Sequence, residues 1–188
     1  MLYLASKSPR RRELLGLIGQ AHELVDVDVP EVRAPGESAA GYVSRVAREK
    51  ARAGLRALSG VPAAVVLGAD TEVVLDDEVF GKPADAAHAA AMLRRLSGCT
   101  HAVLSAVWCM DATREEHMFS ITQVSFAPLA AAAIDAYLVV GEWQGKAGAY
   151  AIQGRAAAFV RELSGSYSGV MGLPLFETAQ LLRSFGLR

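Results

Sequence analysis

The chain opens on an apolar quartet, Leu2-Tyr3-Leu4-Ala5, that reads as a short strand and turns polar at Ser6-Lys7-Ser8. Ser8 stands where a helix N-cap belongs and Pro9 at the first helical position. A helix is therefore expected from there to about Gly19, with Leu14, Leu15, Leu17 and Ile18 on its apolar face. The pattern next predicts a strand near Glu23–Val27 and a polar loop through Glu31 and Pro35. From Ser38 to about Leu58 apolar positions recur at helical spacing, which turns Tyr42, Val43, Val46, Ala47 and Ala51 inward. Ala63–Leu67 is a continuous apolar run, expected as a buried strand that ends at Gly68-Ala69-Asp70-Thr71. Glu72–Leu75 and Val79–Phe80 flank an Asp76-Asp77 turn as a hairpin. Ala86–Leu96 predicts a helix, Ala102–Met110 and Met118–Phe126 two paired strands, and Leu129–Val140 another helix. After a glycine-punctuated stretch come a strand at Ala158–Leu163, a hydroxyl-rich loop and a last helix near Pro174–Phe185. The sum is an α/β chain with mixed strand directions.

At 188 residues this is one domain, 1–188, or two small lobes sharing a core. A hydrophobic share of 52% against 21% charged excludes a disordered chain. No apolar run approaches the ~18 residues a membrane helix needs. The N-terminus runs too soon into charge for a signal peptide, so a cytoplasmic protein without a membrane partner is expected. A net charge of -1 argues against a general nucleic-acid coat. The basic residues divide unevenly into fifteen Arg and four Lys. Arg suits bidentate binding of phosphate, and a high-GC coding bias gives the same composition. Cys99 and Cys109 lack CxxC spacing and are expected as two buried, reduced thiols.

Candidate chemistry starts at Ser6-Lys7-Ser8-Pro9-Arg10-Arg11-Arg12, where a strand turns into a helix. Free backbone N–H groups and the positive end of the helix dipole meet there. Three cations in a helix first turn oppose that dipole, and a bound polyphosphate would relieve the conflict. Asp70 follows a buried apolar strand, where an acid either holds a divalent cation or a water, or bonds its own backbone in a turn. Thr71 either bonds a ligand or continues the chain. Glu31 lies in a loop where most glutamates are solvated. Lys82 lies between Gly81 and Pro83, which leaves it either aimed by a restricted backbone or solvated. Lys50, on the long helix, reads equally well as a surface residue. Gly145–Gly154 packs small residues around Tyr150 and Gln153, whose amide carries both a donor and an acceptor for a nucleobase edge. Tight packing between lobes accounts for the same composition. His22, His88, His101 and His117 show no metal-ligand spacing, and GxSxG, GxxxxGK[ST] and GxGxxG patterns are missing.

Five of these stretches, in order, resemble the signature of Maf-like nucleotide pyrophosphatases. They are Ser6-x-Ser8-Pro9-Arg10-Arg11, Gly68-Ala69-Asp70-Thr71, Gly81-Lys82-Pro83, Lys146-Ala147-Gly148-Ala149-Tyr150-x-Ile152-Gln153-Gly154 and Gly172-Leu173-Pro174-Leu175. The resemblance implies an elongated, two-lobed α/β fold like that of inosine triphosphate pyrophosphatases, with the active site in the cleft and a homodimeric assembly. It implies hydrolysis of a nucleoside triphosphate to the monophosphate and pyrophosphate, assisted by Mg²⁺ or Mn²⁺. Asp70 matches the family's proton acceptor, and Ser8, Arg11, Lys50 and Lys82 match groups of the triphosphate site. Glu31 matches an acid of the same cleft, and Asp70 with Glu31 would hold the metal. Relatives that prefer 7-methyl-GTP carry Trp, Gln and Glu where this chain has Arg10, Thr71 and Gln153, so it resembles the dTTP/UTP type. The alternatives are a 7-methyl-GTP pyrophosphatase and a non-catalytic nucleotide-binding regulator of cell division. Two departures stand out: Gly145 where the family often has Asp, and Gly169 where it often has Asn.

Overall fold

The computed structural model describes residues 1–187. In chain order its elements are β1 (Leu2–Ala5), α1 (Pro9–Leu17), β2 (Glu23–Leu24), α2 (Ala39–Ala57), β3 (Val65–Leu75) and β4 (Glu78–Phe80). There follow α3 (Ala86–Leu96), β5 (Thr100–Met110), β6 (Glu115–Phe126), α4 (Ala131–Val140), β7 (Val160–Ser164), α5 (Tyr167–Met171) and α6 (Leu175–Ser184). Short 3₁₀ turns cover Ala147–Ala149 and Arg155–Phe159. The strands form one mixed sheet in the order β2-β1-β3-β5-β6-β7, with β4 paired to β3. β1 is parallel to both β2 and β3, and every other pairing is antiparallel.

β3 organises the molecule. One of its edges is covered by β5 from Val66 to Val74. The other is covered by β1 as far as Gly68 and by β4 from Val73 onward. The stretch between, Ala69–Glu72, has no strand on that side among the described residues, and it carries Asp70. Side chains alternate along β3 as strand geometry requires. Leu67 and Ala69 pack with Leu14 and Leu15 of α1 and Leu181 and Leu182 of α6. Val66 and Gly68 face α2, whose Ala51 joins Val66 in a shared core. At the far end of β3, β5 and β6 a second apolar mass gathers around Phe80, Leu93, Phe126, Ile134, Tyr150 and Phe159.

Several expectations are corrected. β3 does not end at Gly68-Ala69-Asp70-Thr71 but runs through it as one strand of 11 residues, so Asp70 sits mid-strand. Gly68 makes no turn there; a Cβ on it would run into the Ala47 carbonyl oxygen and come within 2.6 Å of the Ala51 nitrogen. Its bareness lets α2 cross the strand backbone closely. β2 shrinks to two exposed residues because the alternating Asp26 and Asp28 beyond it stay in solvent. α1 stops at Leu17, where Gly19 takes φ 69 and donates to the Gly16 carbonyl oxygen, closing the helix with a left-handed residue. Arg11 takes the third place in its buried stripe, and Leu17 is 76% exposed. The hydroxyl-rich loop contains a helical turn, α5, capped by Ser166 Oγ on the Gly169 N–H. Cys109 is buried as expected, whereas Cys99, just ahead of β5, is half-buried.

Candidate active site

The turn from β1 into α1 is tied together from within. Ser6 Oγ accepts hydrogen bonds from the Ser8 N–H at 3.1 Å and from Arg11 Nη1 at 3.3 Å. Arg11 Nε donates to the Gly172 carbonyl oxygen at 2.7 Å, which pins the first helix to the loop ahead of α6. The guanidinium is buried; burial draws its pKa down, while the carboxylates of Asp70, Glu31 and Glu72 hold it up. Ser8 takes N-cap backbone angles, yet its side chain makes no capping bond. Its hydroxyl therefore caps none of the first-turn N–H groups.

Opposite this turn lies a relay of alternating charge. Lys50 Nζ donates to Asp70 Oδ1 at 2.8 Å and to Glu31 Oε1 at 2.6 Å. Lys82 Nζ donates to the other Glu31 oxygen at 2.5 Å. Burial alone would raise the Glu31 carboxyl, but the hydrogen bonds from Lys50 and Lys82 outweigh it and hold the group at about 2. Among the described residues Asp70 Oδ2 is buried and unpartnered, and so is Glu72 Oε2. Glu72 is pushed up to about 8, first by burial and then by the neighbouring charges of Asp70 and Glu31.

All nine residues singled out in the sequence, Ser8, Arg10, Arg11, Glu31, Lys50, Asp70, Thr71, Lys82 and Gln153, line one cleft of about 900 Å³. Lys50 is not a surface residue: its side chain is 11% exposed, between the two acids. The Thr71 hydroxyl lies 2.9 Å from Ser105 Oγ, which donates to the Gly169 carbonyl oxygen, so it ties β3 to β5 and α5. Gln153 is exposed in the same lining. Its loop is held from two sides. Gly148, at φ 66, lies so close to Val73 that an added Cβ would come within 2.8 Å of that side chain, and its N–H donates to the Gly81 carbonyl oxygen. Glu142 Oε2 accepts from the Arg155 N–H at 2.8 Å and occupies the space a side chain at Gly154 would need.

Sequence reasoning missed Glu72 and Glu142. Glu72 stands two residues beyond Asp70, a spacing that puts both on one face of a strand, but ending the strand at Thr71 hid the period. A second signal was in the composition. The four lysines of this arginine-rich chain, Lys7, Lys50, Lys82 and Lys146, all line the cleft.

A family model described as Maf-like protein matches residues 1–185. A dTTP/UTP pyrophosphatase of Xanthomonas campestris pv. campestris is 57% identical over 188 residues, spanning 99% of this chain and 99% of that protein. A dTTP/UTP pyrophosphatase of Aromatoleum aromaticum is 53% identical over 196 residues, 98% of this chain and 95% of that protein. Another, of Cupriavidus metallidurans, is 53% identical over 195 residues, 100% of this chain and 98% of that protein. Among solved structures, the Staphylococcus aureus Ham1 protein aligns with a TM-score of 0.43 at 11% identity, over 67% of this chain and 71% of that one.

Proposed function

The chain belongs to the Maf-like protein family, and on that premise we propose that it hydrolyses dTTP and UTP to the monophosphate and pyrophosphate. The observation that carries the reading is the cleft itself: a buried acid with one unpartnered oxygen shares one cleft with Arg11, Lys82, an uncapped helix N-terminus and the exposed amide of Gln153.

The triphosphate binds at the β1–α1 turn, where the first N–H groups of α1, the Ser8 hydroxyl and Arg11 supply donors. Gln153 reads the base: the imide edge of uracil or thymine presents both an acceptor and a donor, and the amide answers each. Lys50 holds Asp70 by Oδ1 and leaves Oδ2 to a water beside the α-phosphorus. As the water oxygen bonds to phosphorus its proton passes to Asp70, and the bond from the α-phosphorus to the bridging oxygen breaks. Arg11, Lys82 and the helix N-terminus receive the pyrophosphate charge as it develops. A divalent cation fits this site, because Asp70 Oδ2 is a buried oxygen without a partner in a cleft suited to phosphates. Asp70 would hold it together with phosphate oxygens of the substrate. When bound, the cation neutralises charge at the α-phosphorus. The cytoplasmic location and homodimeric state expected from the sequence belong to the same reading.

The test is a panel of nucleoside triphosphates with Mg²⁺ or Mn²⁺, assayed separately for pyrophosphate and orthophosphate. Pyrophosphate from dTTP and UTP is the expected result. Pyrophosphate mainly from 7-methyl-GTP would overturn the base reading at Gln153 and leave the chemistry intact. Nucleotide binding without turnover would make the protein a regulator instead.

A further inference from the structure

Both oxygens of Glu31 are taken, one by Lys50 and one by Lys82. Among the described residues, the buried carboxylate oxygens of the cleft without a partner belong elsewhere, to Asp70 and Glu72. Asp70 is 4% exposed and Glu72 6%. Two residues apart on β3, the two side chains leave the strand on the same face. They also lie on the Ala69–Glu72 stretch, the one part of that edge of β3 between the pairings to β1 and β4. A carboxylate taken out of water without a partner is costly. Lys50 reaches only Oδ1 of Asp70, and among the described residues no cation hydrogen-bonds to Glu72: Lys50 donates to Asp70 and Glu31, Lys82 to Glu31, and Arg11 to the Gly172 carbonyl and Ser6.

We infer that Glu72 is the second protein ligand, beside Asp70, of the divalent cation, and that Glu31 is instead the anchor that holds Lys50 and Lys82. The inference rests on the reading that a cation acts in this cleft. Two carboxylate oxygens suit a hard cation such as Mg²⁺ or Mn²⁺, which takes oxygen ligands and is commonly held by one or two carboxylates plus substrate phosphates. No cluster of three or more His, Cys, Asp or Glu side chains able to hold a metal exists among the described residues. The protein alone therefore leaves most of the coordination shell to water, and nucleotide phosphates displace part of it. Cation binding is then weak without nucleotide and tighter with it.

Direct Mn²⁺ titration, with free Mn²⁺ followed by electron paramagnetic resonance, tests the assignment without turnover. The full chain is titrated alone and with the non-hydrolysable α,β-imido analogue of dUTP. Wild type is expected to bind Mn²⁺ more tightly with the analogue present. Glu72→Gln is expected to weaken Mn²⁺ binding by about tenfold or more, with an unchanged or raised Tm because a buried, unpartnered carboxyl is replaced by an amide of the same shape. Glu31→Gln is expected to leave Mn²⁺ affinity close to wild type and to weaken metal-free binding of the analogue, since Lys50 and Lys82 lose their anchor. Should Glu72→Gln fail to fold, Glu72→Val, which suits a strand, carries the same expectation. Wild-type Mn²⁺ affinity in the Glu72 variant, or its loss in Glu31→Gln alone, would overturn the assignment. Failure of wild type to take up Mn²⁺ even with the analogue bound would overturn the cation reading itself.

Discussion

Asp70 divides its two oxygens: Oδ1 accepts from Lys50, and Oδ2 is buried without a hydrogen-bond partner among the described residues. An amide at this position keeps the shape and loses the basicity. Asp70→Asn should therefore reduce kcat for dTTP and UTP by roughly 10²–10⁴-fold while the protein stays folded; near-wild-type turnover would remove Asp70 from the role of base. Gln153 differs in kind, because it is exposed and its side chain supports no packing. Gln153→Glu should change stability by no more than about 0.5 kcal/mol yet cost most of the UTP turnover. Parallel measurements of Tm and kcat/KM separate the two, and an equal loss of both would make the residue structural. These two residues were legible in the sequence because each lies within a short motif. Lys50 was ambiguous there, since its partners Asp70 and Glu31 are 20 and 19 residues away and only the fold brings them to its ammonium.

At the scale of elements, the crossing of α2 over β3 positions the relay. α2 carries Lys50, β3 carries Asp70 and Glu72, and their separation is set at Gly68, where the helix backbone touches the strand. A methyl there has nowhere to go, since the atoms it meets are backbone and Ala51 Cβ rather than a flexible side chain end. Gly68→Ala should cost about 1–3 kcal/mol by urea denaturation and reduce kcat in the protein that remains folded, because Lys50 moves with its helix. Full activity with lowered stability would show that the relay tolerates the shift. A glycine before an acid reads as a turn from local pattern alone. The structure uses this one for close approach, and from sequence the two uses look alike.

Across the whole molecule, His101 joins the second apolar mass to the cleft wall. Its ring packs edge-on against Phe126, and its Nε2 lies 2.8 Å from the Tyr150 hydroxyl, while Tyr150 lines the cleft. Burial lowers its pKa from 6.5 to about 4. The unfolded chain therefore takes up a proton first as the pH falls. The stability this neutral ring contributes is complete above pH ~6.5 and is lost progressively toward pH ~4, about 3 kcal/mol in all and about 2 by pH 5. Urea midpoints at pH 7.5 and pH 5 should show the loss in wild type and a smaller one in His101→Gln, which keeps a partner for Tyr150. Identical pH dependence in both would assign the loss to other groups.

The sequence by itself determined the α/β class, the kind and order of most elements, and several of the side chains that belong to the cleft. Periods of two and 3.6 residues, caps and phosphate-binding turns are local properties, and Ser8, Arg11, Asp70, Lys82 and Gln153 sit inside such patterns. Only the tertiary structure decided that β3 runs unbroken through Asp70, that Lys50 is buried between two acids, and that Glu72 shares the site while both oxygens of Glu31 are taken. Each of those depends on what lies across from a residue rather than beside it. The helix backbone against Gly68, the edge of β3 left open between β1 and β4, and the lysines that close on Glu31 are all long-range partners. Burial and pairing set the charge balance at such a site, and both are properties of the packed chain.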